Sequence, residues 1–175
     1  ETYNPSRVAS RESLSGETVA PSQTPIVDER PAQAERHRIV EDDRAIPNDG
    51  KRTLLVIEDD DTFAAILRDL AREMGFRALV AGNAHDALEL AKQFMPSAVV
   101  LDVGLPDQSG LSVLDRLKRD VRTRHIPIHI VSANDYSETA LSLGAVGYIM
   151  KPVQREQLVE VLQKLEAKFY QGAHR

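Results

Sequence analysis

The feature that most constrains this chain is a fivefold alternation of two hydrophobic periods. "TLLVI" (Thr53 to Ile57) is an unbroken apolar run, and after it Phe63, Ile66, Leu67, Leu70 and Met74 recur at helical spacing until Gly75. The same pair returns as "RALVA" with Ala84, Ala87, Leu88, Ala91 and Phe94, and as "SAVVLD" with Gly110, Leu111, Leu114 and Leu117. "IPIHIVS" with the stretch Asp135 to Leu143, and "VGYIM" with Leu158, Val161, Leu162, Leu165 and Phe169, complete the series. Continuous β-branched runs suit strands covered on both faces, and the intervening spacing predicts amphipathic helices. Parallel neighbours need right-handed crossover connections, so strict alternation predicts an α/β fold: a doubly wound five-stranded parallel sheet with helices on both faces.

The alternation occupies only part of the chain. Residues 1–50 are rich in polar residues and proline, with Tyr3 the only aromatic residue, and no apolar period is sustained there. This composition cannot offset the entropy of ordering, so residues 1–50 are expected to be a disordered linker and residues 51–175 the folded domain. A transient helix is the most that Ala32 to Asp43 supports. The formal charge of -5 and pI of about 5.6 argue against a nucleic-acid partner. No cysteine is present, which excludes a disulfide framework and thiolate metal sites, and no apolar run reaches membrane-spanning length. A cytoplasmic setting without direct membrane contact is expected.

In open parallel sheets the ligand site lies outside the carboxyl ends of the strands. The first strand there runs into Glu58, Asp59 and Asp60; the third ends in Asp102, the fourth in Ser132, and the fifth leads to Lys151 and Pro152. A nearly identical acidic phrase, Glu41 to Asp43, precedes no helix and follows no apolar strand. It is therefore read as a solvated charge run. Clustered carboxylates repel unless a cation sits among them, and a hard divalent ion, Mg²⁺, resolves the conflict using carboxylates, waters and phosphate oxygens. An EF-hand calcium loop does not fit, because Phe63 stands where an oxygen ligand is required. Mg²⁺ beside a carboxylate, a hydroxyl and an amine is equipment for phosphoryl transfer. Asp102 is then the nucleophile that forms an aspartyl-phosphate, Lys151 and Ser132 hold the phosphoryl oxygens, and Asp59 carries the metal with Glu58 assisting through water.

From Lys51 to Phe169 the chain resembles the response-regulator receiver family of two-component signalling, through "LLVIEDD", "VVLDVGLPDQSG", "PIHIVSA" and "GAVGYIMKPV" in order. The resemblance implies a flavodoxin-like sheet of order 2-1-3-4-5 and phosphorylation of Asp102 by a histidine kinase. It further implies that Asp102 and the backbone carbonyl of Gly104 join Asp59 and Glu58 around Mg²⁺. Ser132 and Tyr148 are the implied switch pair, whose movement remodels the face formed by the fourth helix, fifth strand and fifth helix. Glu58, Leu105, Ser109, Ser132 and Val153 depart from the residues commonest in the family, which bears on phosphate lifetime and on the output face.

Each residue also has a plainer reading. Asp102 and Ser132 alone would be caps or loop solvators, Lys151 a solvated amine and Tyr148 a packed core residue. His125 and His129 lie in a loop and a strand, where a donor histidine is not expected. Pro152 makes the Lys151–Pro152 bond a candidate cis peptide. A Mg²⁺-dependent phosphatase with an aspartyl nucleophile would want an acid at position 104, where glycine stands, and a docking-only receiver would lack Asp59, Asp102 or Lys151. About fifty polar residues before the first strand, opening on Glu1, favour a receiver cut from a larger protein, such as the C-terminal part of a hybrid sensor kinase, with a downstream phosphotransfer protein as a further partner. The alternative is an internal receiver with neighbours on both sides.

Overall fold

The computed structural model describes residues 40–47 and 50–173, with the side chains of the last helix described through Lys168. Five strands, β1 (Thr53–Ile57), β2 (Arg77–Ala81), β3 (Ala98–Asp102), β4 (Ile128–Ser132) and β5 (Gly147–Met150), form one parallel sheet in the order β2-β1-β3-β4-β5. Five helices connect and follow them: α1 (Asp61–Glu73), α2 (Ala84–Phe94), α3 (Gly110–Arg119), α4 (Ser137–Ser142) and α5 (Arg155–Ala173). This is the doubly wound architecture that the alternation predicts.

Strand geometry explains the two cores. Side chains along a strand point alternately to opposite faces. Leu54 and Val56 pack with Leu67 and Leu70 of α1 and with Leu158 and Leu162 of α5. Leu55 and Ile57 face the other way, toward Ala87 and Leu90 of α2, Leu114 of α3 and Ala140 of α4. Both faces being covered, every residue of β1 to β4 is buried, and the runs read as continuously apolar.

Helix starts are capped by short polar side chains. Asp60, Asn83 and Ser109 accept backbone N–H groups in the first turns of α1, α2 and α3. Gly75 closes α1 at φ +90°, a conformation that glycine adopts without a Cβ penalty. Gly110 has a different constraint: a Cβ there would collide with the backbone carbonyl of Asp102. The start of α3 is thus seated directly against the end of β3.

One expectation is overturned. In the acidic phrase Glu41–Asp43 only Glu41 is solvated; Asp42 and Asp43 lie along the free edge of β2. Asp43 is only 7% exposed, its backbone N–H donates to the Ala78 carbonyl at 2.9 Å, and its Oδ2 accepts the Ala78 N–H at 2.9 Å. Asp42 Oδ2 accepts the Val80 N–H at 2.7 Å, and Arg44 Nη2 returns a hydrogen bond to the Val80 carbonyl at 3.0 Å. An edge strand presents a row of unpaired donors and acceptors, and here the Asp42, Asp43 and Arg44 side chains and the Asp43 backbone N–H satisfy them in place of a sixth strand. Arg72 of α1 neutralises Asp43 at 2.8 Å. The folded body therefore includes residues 40–47, while the remainder of the expected linker, residues 1–39 and 48–49, lies outside the described residues, as does most of the candidate transient helix.

Candidate functional site

The carboxyl ends of β1, β3, β4 and β5 converge as the sequence order implies. Glu58, immediately after β1, is 2% exposed; Asp102, the last residue of β3, is 6% exposed; Asp59 is exposed. One carboxylate oxygen from each of the three lies within 4.8 Å of the others. Lys151, just beyond β5, places its Nζ 2.8 Å from Glu58 Oε1 and 3.7 Å from Asp102 Oδ1. Its ammonium also stands 4.7 Å from the centroid of the Phe63 ring, a cation–π contact from the first turn of α1. The Lys151–Pro152 peptide is cis.

The electrostatics follow from burial. Desolvation pushes the Glu58 carboxyl up to about 7, the Asp102 charge adds to the rise, and Lys151 and the Asp60 N–H oppose it. Burial pushes the Lys151 ammonium down, but Glu58, Asp102 and Asp60 outweigh it and hold it above its ordinary range. One amine facing three carboxylates leaves the cluster net negative. All its side-chain donors to a metal are oxygens, which fits a hard divalent cation such as Mg²⁺ and not a soft or nitrogen-seeking one.

The acidic triplet after β1 divides its work. Asp60 is an α1 cap, accepting from Thr62 N at 3.0 Å and Phe63 N at 3.4 Å, so Glu58 and Asp59 alone face Asp102. Ser132 ends β4 buried, with its Oγ accepting the Asn134 N–H at 3.2 Å, and its carbonyl accepts the Lys151 N–H at 2.8 Å. That backbone bond sets lysine and hydroxyl side by side. Gly104 is exposed in the loop after β3, where a Cβ would lie 3.8 Å from Asp102 Oδ2. Tyr148 is half-buried and tied by its hydroxyl, which donates to the Asn134 carbonyl and accepts the Tyr136 N–H at 2.7 Å. It bridges β5 to the segment leading from Ser132 into α4.

Two contributors escape sequence reading. Asp107 accepts the N–H groups of Ala84 at 2.8 Å, His85 at 2.9 Å and Gln108 at 3.1 Å, clamping the Gly104 loop to the start of α2. Burial pushes its carboxyl up, but these donors prevail and hold it below the usual carboxylate range. The only local signal is an acid after Pro106, common in any loop. Phe63 is read from spacing as helix core, and its contact with Lys151 spans elements far apart in sequence. His129 is buried in β4, pushed down to about 4 by burial with Lys164 adding to the effect, and His125 is exposed in the turn before β4. Neither joins the cluster.

Comparison with known proteins agrees with this geometry. Residues 54–163 match the response regulator receiver domain family. The polar-differentiation response regulator DivK of Brucella anthropi is 30% identical over 115 residues, covering 64% of this chain and 94% of its own. Histidine kinase P4 of Formosa agariphila is 30% identical over 134 residues, covering 71% of this chain, which spans only 10% of that protein. Among solved structures, a putative response regulator from Chloroflexus aurantiacus superposes with a TM-score of 0.62 at 29% identity, covering 66% of this chain and 98% of its own. The chemotaxis response regulator CheY4 of Vibrio cholerae has the same TM-score, 0.62, at 19% identity, a likeness of fold.

Proposed function

Because the chain belongs to the response regulator receiver family of two-component signalling, we propose that it accepts a phosphoryl group from a histidine kinase onto Asp102 and passes the change to the face formed by α4, β5 and α5. The observation that carries this reading is a buried carboxylate at the tip of the central strand with Lys151 Nζ 3.7 Å away and two further carboxylates beside it. In the transfer, an Asp102 oxygen bonds to phosphorus as the phosphorus–nitrogen bond to the donor imidazole breaks, and the imidazole, protonated on its other ring nitrogen, leaves neutral. Lys151 and Ser132 supply a positive charge and a hydroxyl donor to the phosphoryl oxygens.

Asp59, Glu58, Asp102 and the Gly104 carbonyl are the groups that would hold Mg²⁺. A bound Mg²⁺ would supply positive charge to offset these carboxylates and the phosphoryl oxygens. Lys151 has to release part of its hold on Glu58 to serve Asp102, since it stands nearer Glu58. Ser132 and Tyr148 form the switch: Ser132 turning toward phosphate would alter the Asn134 segment whose carbonyl the Tyr148 hydroxyl engages. Such switching is a population shift between two arrangements, not a new fold.

The donor is the phosphotransfer region of a histidine kinase, placed in the same polypeptide if the chain is part of a hybrid kinase, and a separate phosphotransfer protein is the downstream acceptor. The likeness to a short part of Histidine kinase P4 supports that origin. No helix among the described residues is long and apolar enough to cross a membrane, and a cytoplasmic setting follows from the proposed donor.

Mass spectrometry after incubation with acetyl phosphate tests the assignment. A gain of about 80 Da, one phosphoryl group, that requires Mg²⁺ and disappears in Asp102→Asn is expected. A folded chain that gains no mass and forms no beryllofluoride complex would make this receiver a docking module instead.

A further inference from the structure

Lys151 carries its charge on a flexible four-carbon stem, so its value to Asp102 depends on what holds its head. The backbone end is fixed, because the Lys151 N–H donates to the Ser132 carbonyl at 2.8 Å. The ammonium has three neighbours: Glu58 Oε1 at 2.8 Å, Asp102 Oδ1 at 3.7 Å and the centroid of the Phe63 ring at 4.7 Å. Phe63 rests on the edge of the core built by Leu67 and Leu70 and is only half-buried, with a ring face turned to the ammonium.

The ring belongs to the same framework as Glu58. The Asp60 N–H donates to Glu58 Oε2 at 3.1 Å, and Asp60 Oδ1 accepts the Phe63 N–H at 3.4 Å. The Phe63 ring then meets the Lys151 ammonium, which returns to Glu58 Oε1. These contacts close a circuit, so the ammonium sits between two supports whose separation is set by the first turn of α1. The supports differ in kind. A carboxylate oxygen competes with a phosphoryl oxygen for a directed hydrogen bond, whereas a ring face attracts the charge without claiming one. Cation–π attraction persists to about 6 Å from a ring centroid, and a shift of about 1 Å would bring Nζ from 3.7 Å to hydrogen-bonding distance of Asp102. The contact with the ring survives such a move; the bond to Glu58 stretches.

We infer that Phe63 is a positioning residue for phosphotransfer: its ring keeps the Lys151 ammonium in the cleft as the ammonium passes from Glu58 to the oxygens at Asp102. The role rests on Asp102 being the phosphoacceptor. Phe63 touches no reacting atom and acts through Lys151 alone.

The test is phosphorylation of the full chain by acetyl phosphate at saturating Mg²⁺, followed by mass over time, in wild type, Phe63→Leu and Phe63→Tyr. Phe63→Leu keeps the apolar bulk and removes the ring. It is expected to slow phosphorylation of Asp102 about three- to tenfold with Mg²⁺ affinity unchanged, while Phe63→Tyr, whose hydroxyl can reach water from a half-buried position, keeps the wild-type rate. The NMR signals of the Lys151 ε-methylene protons report the contact directly. They are expected upfield of the ordinary lysine position in wild type and Phe63→Tyr and at that position in Phe63→Leu. A merely structural role predicts instead that both variants slow in step with a lowered urea midpoint and that Mg²⁺ affinity falls with the rate. Wild-type ε-methylene signals at the ordinary lysine position, or Phe63→Leu and Phe63→Tyr slowed alike, would overturn the role. The two failures are separable: a wild-type chain that gains no mass removes the phosphoacceptor reading and the role with it, whereas wild-type and Phe63→Leu chains that gain mass equally fast remove only the role of Phe63.

Discussion

The phrases Glu41–Asp42–Asp43 and Glu58–Asp59–Asp60 are the same three residues in the same order, and they do opposite work. In the second, the strand ends just before the acids, so Glu58 and Asp59 project beyond the sheet toward Asp102 and Asp60 caps α1. In the first, the acids lie beside a strand, and their carboxylates take the place of backbone carbonyls on the Val80 and Ala78 N–H groups. One cluster is crowded with like charge and calls for a cation. The other spends its charge on Arg72, Arg44 and two buried donors. A carboxylate is a strong acceptor in either place; whether it acts as ligand or as edge cover depends on what the sheet puts opposite it.

The sharpest way to break this contrast is to remove the edge cover. Asp42→Ala with Asp43→Ala strands the Ala78 and Val80 N–H groups and unpairs Arg72, and about 3–5 kcal/mol of stability is expected to go, read as a lower urea midpoint. The bared β2 edge should also self-associate, visible as concentration-dependent light scattering. Mg²⁺ affinity of the folded fraction should not change.

The reciprocal test is Asp59→Asn. Relieving repulsion at an exposed position should leave stability unchanged or raise it by less than about 1 kcal/mol. Mg²⁺ affinity, followed by calorimetric titration, is expected to fall on the order of tenfold or more, since a carboxylate ligand is lost. If Asp59→Asn destabilised the fold while Asp43→Ala disturbed Mg²⁺, the division of labour between the two phrases would be reversed.

A pH series sharpens the first phrase alone. Burial raises the Asp43 carboxyl, but Arg72 and the Ala78 N–H prevail and hold it below its ordinary 3.8. The ionised form is therefore favoured by folding, and its contribution is complete above the unfolded value and lost as pH falls through the lowered folded one. The difference in urea midpoint between wild type and Asp43→Asn should be constant from neutral pH to about 5 and shrink below about 4. The smallest effect belongs to Glu41. It is exposed, and Arg68 binds only its backbone carbonyl at 2.9 Å, so Glu41→Gln should shift stability by less than about 0.5 kcal/mol.

Much of this molecule is legible along the chain. Each strand begins and ends within two residues of its apolar run, because burial on both faces demands that run and nothing else in the sequence imitates it. Glu58, Asp59, Asp102, Ser132 and Lys151 share one edge, since a parallel sheet brings all its carboxyl ends together. The preference of Lys151 for Glu58 over Asp102, its stacking on Phe63 and the clamp made by Asp107 were not legible. Each joins elements 22 to 93 residues apart and leaves no periodic trace.

Periodicity and strand direction alone therefore account for the alternation of strand and helix, for the two-faced core and for the set of residues gathered at the carboxyl edge of the sheet. Which of the two Glu-Asp-Asp phrases joins the cluster around Asp102 and which closes the sheet was settled only by tertiary packing. Local sequence sets what a carboxylate can accept; the donor that meets it at 2.7 to 2.9 Å is supplied by a strand more than thirty residues away, and only folding brings the two together.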